Sequence, residues 1–138
     1  MRVDVSRWLS RRTYTALKRQ AARWLRKGQS VVLDATYGQP AERAAVRQIA
    51  RRCGARLVVV VCQADEAVLR ARLAARAVDP TRVSDARLEL WPALRAAFNQ
   101  PTELADVLSV DTTLPLQQVV DQVLALVRGP GVSASRAA

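Results

Sequence analysis

Leu57-Val-Val-Val-Val-Cys62 is the stretch of sequence that decides the fold. Its apolar residues follow one another without polar alternation, which predicts a strand buried on both faces, as in a parallel sheet. Ser30-Val-Val-Leu-Asp34 is a second short β-branched run of this kind, and residues 106–111 are predicted to form a third strand. The three runs together indicate a mostly parallel sheet.

Stretches with helical periodicity separate these strands. The first predicted helix covers residues 13–27 and stops at Gly28, and the second covers residues 40–52 and opens with Pro40. The residues expected to face inward on these two helices are Tyr14, Leu17, Ala21, Trp24, Leu25, Ala44, Val46, Ile49 and Ala50. Further helices are predicted from residue 65 onward, over about 85–98 with a kink or break at Pro92, and over 115–127. Strands that alternate with helices define an open α/β fold, which binds ligands at the carboxyl ends of its strands.

The composition indicates one globular domain and excludes several kinds of site. The 138 residues contain no histidine, which excludes a histidine base, a histidine nucleophile relay and a histidine metal ligand. Cys53 and Cys62 do not form a C-x-x-C pair, so a thiolate zinc site and a disulfide framework are excluded. The apolar runs are too short to span a membrane, and we expect a cytoplasmic protein. We expect residues 1–128 to form the domain and residues 129–138 to be a disordered tail.

Basic residues are concentrated in the first half of the chain, where residues 1–56 carry 14 Lys or Arg and 3 acids. Such a balance can indicate a phosphate-bearing partner: a nucleotide, a nucleic acid or a membrane surface. All but two of the 22 basic residues are Arg, which coding bias also explains, and we favour a solvated arginine surface. The few aromatic residues do not interleave with the basic run, which argues against a nucleic-acid partner.

Five charged residues could carry chemistry. Asp34 ends an apolar strand, where a carboxylate can hold Mg²⁺, although such an acid can also cap the next turn. Arg72 and Arg76 are neighbours on one helix face and could grip a polyphosphate, although a solvent-facing arginine stripe has the same spacing. Asp4 could act as a base toward a hydroxyl, with Arg7 orienting the substrate, although a frayed N-terminus with random charges is the simpler interpretation.

Taken together, these segments resemble the small-molecule kinase-like P-loop ATPases associated with aminoglycoside phosphotransferase-like proteins. Related groups are the polynucleotide kinases, gluconate kinases and zeta toxins. The pieces that carry the resemblance are Gly28-Gln-Ser-Val-Val-Leu-Asp-Ala-Thr-Tyr37, Glu42-Arg43, Arg70-Ala-Arg-Leu-Ala-Ala-Arg76 with Asp79-Pro80, Ser84-Asp-Ala86 and Val110-Asp-Thr112. Residues 2–7 resemble the end of the family's second strand.

The resemblance implies a fold, cofactors and residue roles. The fold is a three-layer P-loop NTPase-like parallel sheet, and the cofactors are ATP and Mg²⁺. Asp4 would be the base on the substrate side, with Arg7 beside it, and Asp34 would lie near Mg²⁺. Thr36 and the two lid arginines, Arg72 and Arg76, would contact the nucleotide.

The sequence departs from this family in one respect. The family begins with a strand and a G-x-x-x-x-G-K-[ST] loop, whose amides and lysine cradle phosphates, and no such motif occurs in the 138 residues. We therefore expect a domain that lacks its first strand and its phosphate-binding loop. By resemblance the missing strand lies between the strand at 30–34 and the strand at 57–62. Its absence would leave two edges unpaired, force them together, or require another chain to fill the gap.

Three functions are compatible with these observations. The first is a truncated kinase-like domain, whose complete parent transfers the γ-phosphoryl group of ATP to a small-molecule acceptor and which itself has little or no turnover. The second is a non-catalytic interaction module, whose open sheet edge and basic N-terminal half bind a partner protein. The third is a nucleic-acid-binding domain built on the basic half, whose affinity would fall steeply with salt.

Overall fold

The structure, a computed structural model, describes residues 5–77 and 91–129, with side chains for residues 12–76 and 91–129. The elements follow in the order α1 (Val5–Leu25), α2 (Pro40–Arg52), β1 (Val59–Gln63), α3 (Glu66–Ala77), α4 (Trp91–Ala97), β2 (Val107–Asp111) and α5 (Leu116–Arg128). The chain divides into two compact units, Met1–Leu57 and Val58–Ala138. The fold is α/β with a small parallel sheet, which lies in the second unit.

The sheet of the second unit consists of β1 and β2, paired in parallel from Val59 opposite Val107 to Gln63 opposite Asp111. The ladder continues at both ends, where Val59 N donates to Asp106 O at 2.9 Å and Thr112 N donates to Gln63 O at 2.8 Å. Val110 is the most buried side chain of the described residues, with 1% of its surface exposed. The strands predicted at 57–62 and 106–111 are confirmed, each within two residues of its predicted start. The burial predicted for both faces of the first strand is wrong, because only Val61 is buried and Cys62 is exposed.

One helix of the second unit packs against the sheet. α5 packs against β2, although Leu116 at its first position remains largely exposed. Val68, Leu69 and Leu73 of α3 are half-buried. The helices predicted from residue 65 and over 115–127 are confirmed.

In the first unit α1 packs against α2, with Ala21 and Ala50 buried. Both helices end in the same way, on a glycine with a positive φ. Gln29 N donates to Trp24 O around Gly28 (φ 74), and Ala55 N donates to Ala50 O around Gly54 (φ 65). This six-residue hydrogen bond with glycine at the turn is the Schellman motif, so Gly28 ends α1 as predicted.

The predicted strand at residues 30–34 is wrong. These residues form neither a strand nor a helix, and 93% of the Val32 surface is exposed. A β-branched run becomes a strand only when a neighbouring backbone receives its hydrogen bonds, and no described segment pairs with this one. Of the three strands expected, the described residues form two.

Three further expectations for the first unit need correction. α1 starts at Val5 rather than Thr13, so Val5–Arg7 is helical and does not resemble the end of a strand. Trp24 is exposed and lies beneath Lys27, whose Nζ is 4.7 Å from the ring centroid, so it is not a core residue. Ala44 is exposed as well.

Several predictions fall partly or wholly on residues outside the described part. The helix predicted over 85–98 is confirmed from Trp91 to Ala97, with Pro92 in its first turn, and residues 78–90 lie outside. Asp4, the side chain of Arg7 and residues 130–138 also lie outside. None of the described helices has the length and apolar character needed to cross a membrane.

We expect Val110→Ala to lower the free energy of unfolding by about 2 kcal/mol, because two methyl groups leave a fully buried site. Val32→Ala makes the same chemical change at an exposed site and should alter it by less than about 0.5 kcal/mol. Urea unfolding followed by circular dichroism measures both. Equal losses in the two variants would contradict the burial of β2.

Candidate functional site

Asp34 and Thr36 lie in the irregular segment between α1 and α2, residues 29–39, and both side chains are exposed. The segment turns at Tyr37, whose φ of 42° lies in the left-handed region. This conformation is rare for a residue with a bulky side chain. Among the described residues Tyr37 is the only one besides glycine that adopts it.

Tyr37 is held by two side chains. Its backbone N–H donates to Tyr14 Oη at 3.2 Å, and its carbonyl accepts from Arg43 Nη1 at 2.9 Å. The rings of Tyr14 and Tyr37 meet edge to face, with centroids 5.0 Å apart. Side chains of α1 and α2 thus anchor the irregular segment at one residue. We call Tyr14, Tyr37 and Arg43 the tyrosine clamp.

The Tyr37 hydroxyl points into this packing. Its oxygen is buried and has no hydrogen-bond partner among the described residues. Burial raises the pKa of Tyr37, and the nearby Tyr14 and Glu42 add to the effect. The Tyr37 phenol is therefore neutral at physiological pH.

Arg43 is buried, with 4% of its surface exposed, because it takes the inward position on α2. Residues 43, 46 and 50 are spaced three and four apart, so they share one helix face. Ala44 was predicted to face inward and Arg43 was not, although the spacing of Arg43 to Val46 and Ala50 indicates the inward face. A buried guanidinium needs acceptors, and the Tyr37 carbonyl is one of them.

A second cluster lies at the carboxyl ends of β1 and β2. Arg72 of α3 donates from Nη1 to Thr112 Oγ1 at 2.8 Å and from Nη2 to Thr112 O at 2.7 Å. Thr112 Oγ1 in turn donates to Gln63 O at 2.9 Å. Arg72 therefore ties α3 to the ends of both strands, at the edge where the sequence predicted a ligand site. This role of Thr112 and Gln63 was not predicted from the sequence.

Asp111 completes this edge. Its Oδ1 accepts from Thr113 Oγ1 at 2.7 Å and from Thr113 N at 2.8 Å. These hydrogen bonds, with the charge of Arg72 adding to them, lower the pKa of Asp111. Asp111 is therefore an anion at neutral pH and shapes the loop that follows β2.

The remaining arginines of α3 have different surroundings. Arg76 is exposed and forms no hydrogen bond or ion pair with the described residues. Arg70 donates to Glu66 Oε1 at 2.8 Å, and Arg95 of α4 donates to Glu66 Oε2 at 2.9 Å. Glu66 therefore links α3 to α4 at the side of an open depression of about 400 Å³ that Trp91 also lines.

The candidate residues thus form two sets, one in each unit. Asp34 and Thr36 belong to the first unit, Met1–Leu57, beside the tyrosine clamp. Arg72 and Arg76 belong to the second unit, Val58–Ala138.

The first set offers oxygen atoms suited to magnesium. The Asp34 carboxylate and the Thr36 hydroxyl offer the hard oxygen atoms that Mg²⁺ prefers. Among the described residues no group of three or more His, Cys, Asp or Glu side chains lies together. The donors therefore fit a Mg²⁺ ion that phosphate oxygens and water also ligate, and do not fit an all-protein magnesium cage.

A family model described as AAA domain matches residues 2–101, which is more than half of the chain. The chain therefore belongs to this family. At a coarse level the match supports a nucleotide-binding P-loop NTPase domain of kinase-like type, and domains of this type generally bind ATP with Mg²⁺. No curated protein and no solved structure matches the chain.

We expect the pKa of Glu66, which its arginines lower, to rise in both Arg70→Gln and Arg95→Gln. The rise should be larger in Arg70→Gln, because the hydrogen bond from Arg70 is the largest cause of the shift. NMR titration of the Glu66 carboxyl carbon measures both values. A larger rise in Arg95→Gln would contradict this ranking.

The same shift gives a pH dependence with a definite sign. A carboxyl whose pKa is lowered by folding stabilises the folded state above its unfolded pKa, which is about 4.3. That stabilisation is lost as the pH falls through the folded pKa. The link between α3 and α4 should therefore weaken only in acid.

Proposed function

We propose that the chain is part of an ATP-dependent phosphotransferase, which moves the γ-phosphoryl group of ATP to a hydroxyl of a small-molecule acceptor. The family match to residues 2–101 carries this proposal, because that stretch contains all the candidate residues. These are Asp4, Arg7, Asp34, Thr36, Arg72 and Arg76.

In this proposal one acidic residue, Asp4, acts on the acceptor substrate and the other, Asp34, lies at the metal. Asp4 accepts the proton of the acceptor hydroxyl as the new O–P bond forms and the bond from the γ-phosphorus to the bridging oxygen breaks, releasing ADP, and Arg7 orients that substrate. Asp34 would lie at Mg²⁺ and Thr36 would contact the nucleotide, and the exposure of both side chains leaves their oxygens accessible. When bound, Mg²⁺ neutralises charge on the phosphate oxygens.

The two lid arginines differ in availability. Arg76 has no partner to exchange among the described residues, so its guanidinium can bind phosphate oxygens directly. Arg72 would first exchange Thr112, a neutral partner, for a phosphate. Hydrogen bonds between ions are stronger than those to neutral groups, so the exchange is favourable.

We further propose that the 138 residues alone are inactive or weakly active. They contain no G-x-x-x-x-G-K-[ST] motif, whose backbone amides and lysine hold the phosphates of ATP. The unpaired run at residues 31–33 supports this proposal, since a strand supplied from outside these residues would give it a hydrogen-bonding neighbour.

A non-catalytic interaction module is the second candidate function, and the exposure of Val32 favours it. An apolar segment without a ladder can accept a strand from a second copy or from a partner chain. This candidate predicts a stable complex and no effect of Mg·ATP on the melting temperature.

The first experiment is to read the nucleotide sequence upstream of the Met1 codon, in frame, and to measure the intact mass of the protein from its native host. An open frame that encodes a strand and G-x-x-x-x-G-K-[ST], with a matching mass, supports the phosphotransferase. A stop codon upstream, together with the mass of the 138-residue chain, would overturn it and favour the interaction module.

In the protein encoded by the full reading frame, we expect Arg76→Ala to weaken ATP binding by about tenfold, because one charge-assisted contact to phosphate is lost. Its melting temperature should not change, because Arg76 is exposed and unbonded within the described residues. Arg72→Ala should weaken binding and also lower the melting temperature, since it breaks the link to Thr112. Isothermal titration calorimetry and thermal melting measure the two effects.

Arg128→Ala is the matched control, because Arg128 is an exposed arginine at the end of α5. It should change neither quantity. An ATP affinity unchanged by Arg76→Ala would remove Arg76 from the site, and a lower melting temperature in that variant would show that Arg76 is structural.

A further inference from the structure

Tyr37 stores conformational strain next to Asp34, the candidate magnesium ligand, and Thr36, a candidate nucleotide contact. A left-handed φ is unfavourable for a residue with a Cβ atom, and it persists only where the surroundings impose it. Tyr37 follows Thr36 directly and lies three residues after Asp34. The conformation of Tyr37 therefore sets the direction of the backbone that carries Asp34 and Thr36 and leads into α2.

The bonds that impose this conformation reach the backbone of Tyr37 from two helices. Tyr14 of α1 accepts from the N–H, and Arg43 of α2 donates to the carbonyl. If Tyr37 relaxed from this φ, its N–H and its carbonyl would point in other directions and would no longer meet Tyr14 and Arg43. The clamp therefore selects one path of the segment.

A purely structural role for these side chains would be to join α1 to α2. Other interactions already join the two helices, because Lys18 Nζ lies 3.0 Å from Glu42 Oε2 and both Ala21 and Ala50 are buried. The hydrogen bonds of Tyr14 and Arg43 described above run to the segment between the helices. Their geometry fits the positioning of that segment better than the joining of helices.

We infer that Tyr14 and Arg43 are positioning residues, which hold Tyr37 in its left-handed conformation and thereby place Asp34 and Thr36 for binding Mg·ATP. This inference rests on the proposed function. Neither residue touches the nucleotide or the metal. Both act through the backbone of Tyr37.

The hydroxyls of the two tyrosines allow a matched test. Tyr14→Phe removes an oxygen that accepts the Tyr37 N–H, whereas Tyr37→Phe removes an oxygen without a partner among the described residues. We expect Tyr14→Phe to speed hydrogen exchange of the Tyr37 amide roughly five- to tenfold. Tyr37→Phe should leave that rate unchanged. Equal rates in wild type and Tyr14→Phe would overturn the inference.

The second readout is Mg·ATP affinity, measured on the protein encoded by the full reading frame, with Asp34→Asn as the reference variant. Tyr14→Phe should weaken binding severalfold alone and by a smaller factor in the Asp34→Asn background, because part of its effect is exerted through Asp34. Additive losses, or no loss in Tyr14→Phe, would overturn the inference and leave the proposed function standing. A wild-type protein that binds no Mg·ATP would overturn both.

Discussion

Backbone hydrogen bonding is the constraint on which the rest of this structure depends. Each peptide group that leaves water needs a partner, and a strand finds its partners only on a neighbouring strand. β1 and β2 meet this need in a five-residue parallel ladder, which buries Val110 and provides the surface for α5. The same ladder brings Gln63 and Thr112 together, so that Arg72 can bind at its end. The run at residues 31–33 has the sequence of a strand but no neighbour among the described residues, and it stays irregular.

Much of the fold could be predicted because it follows from local patterns. Periodicity and β-branched runs placed α2, β1, β2 and α5 within two residues of their starts. The strand prediction for residues 30–34 was wrong because strand propensity is a property of single residues, whereas a strand also needs a neighbouring strand to pair with. The inward position of Arg43 was not predicted because arginine is usually exposed, although the helical spacing favours that position. The buried guanidinium of Arg43 is satisfied in part by the Tyr37 carbonyl, which accepts a hydrogen bond from it.

The sequence suggested candidate site residues, and their contacts could not be predicted from it. It predicted that Arg72 and Arg76 share a helix face and that ligands bind at the carboxyl ends of the strands, where Arg72 lies. Its partner Thr112 lies 40 residues later in the sequence, and Gln63, which accepts from Thr112, lies 49 residues before Thr112. The tyrosine clamp spans 23 residues between Tyr14 and Tyr37. Such pairings depend on the folded arrangement of separate elements, which no local pattern encodes.

The irregular run around Val32 has a consequence for the lifetime of the protein. Proteases bind their substrates as extended backbone, and they cut where the chain can leave its fold without breaking a ladder or a helix. Residues 30–33 belong to neither a ladder nor a helix of the described chain, and they lie between α1 and α2. A strand that pairs with this run would remove it from proteolysis. Cellular abundance would then depend on whether that strand is present.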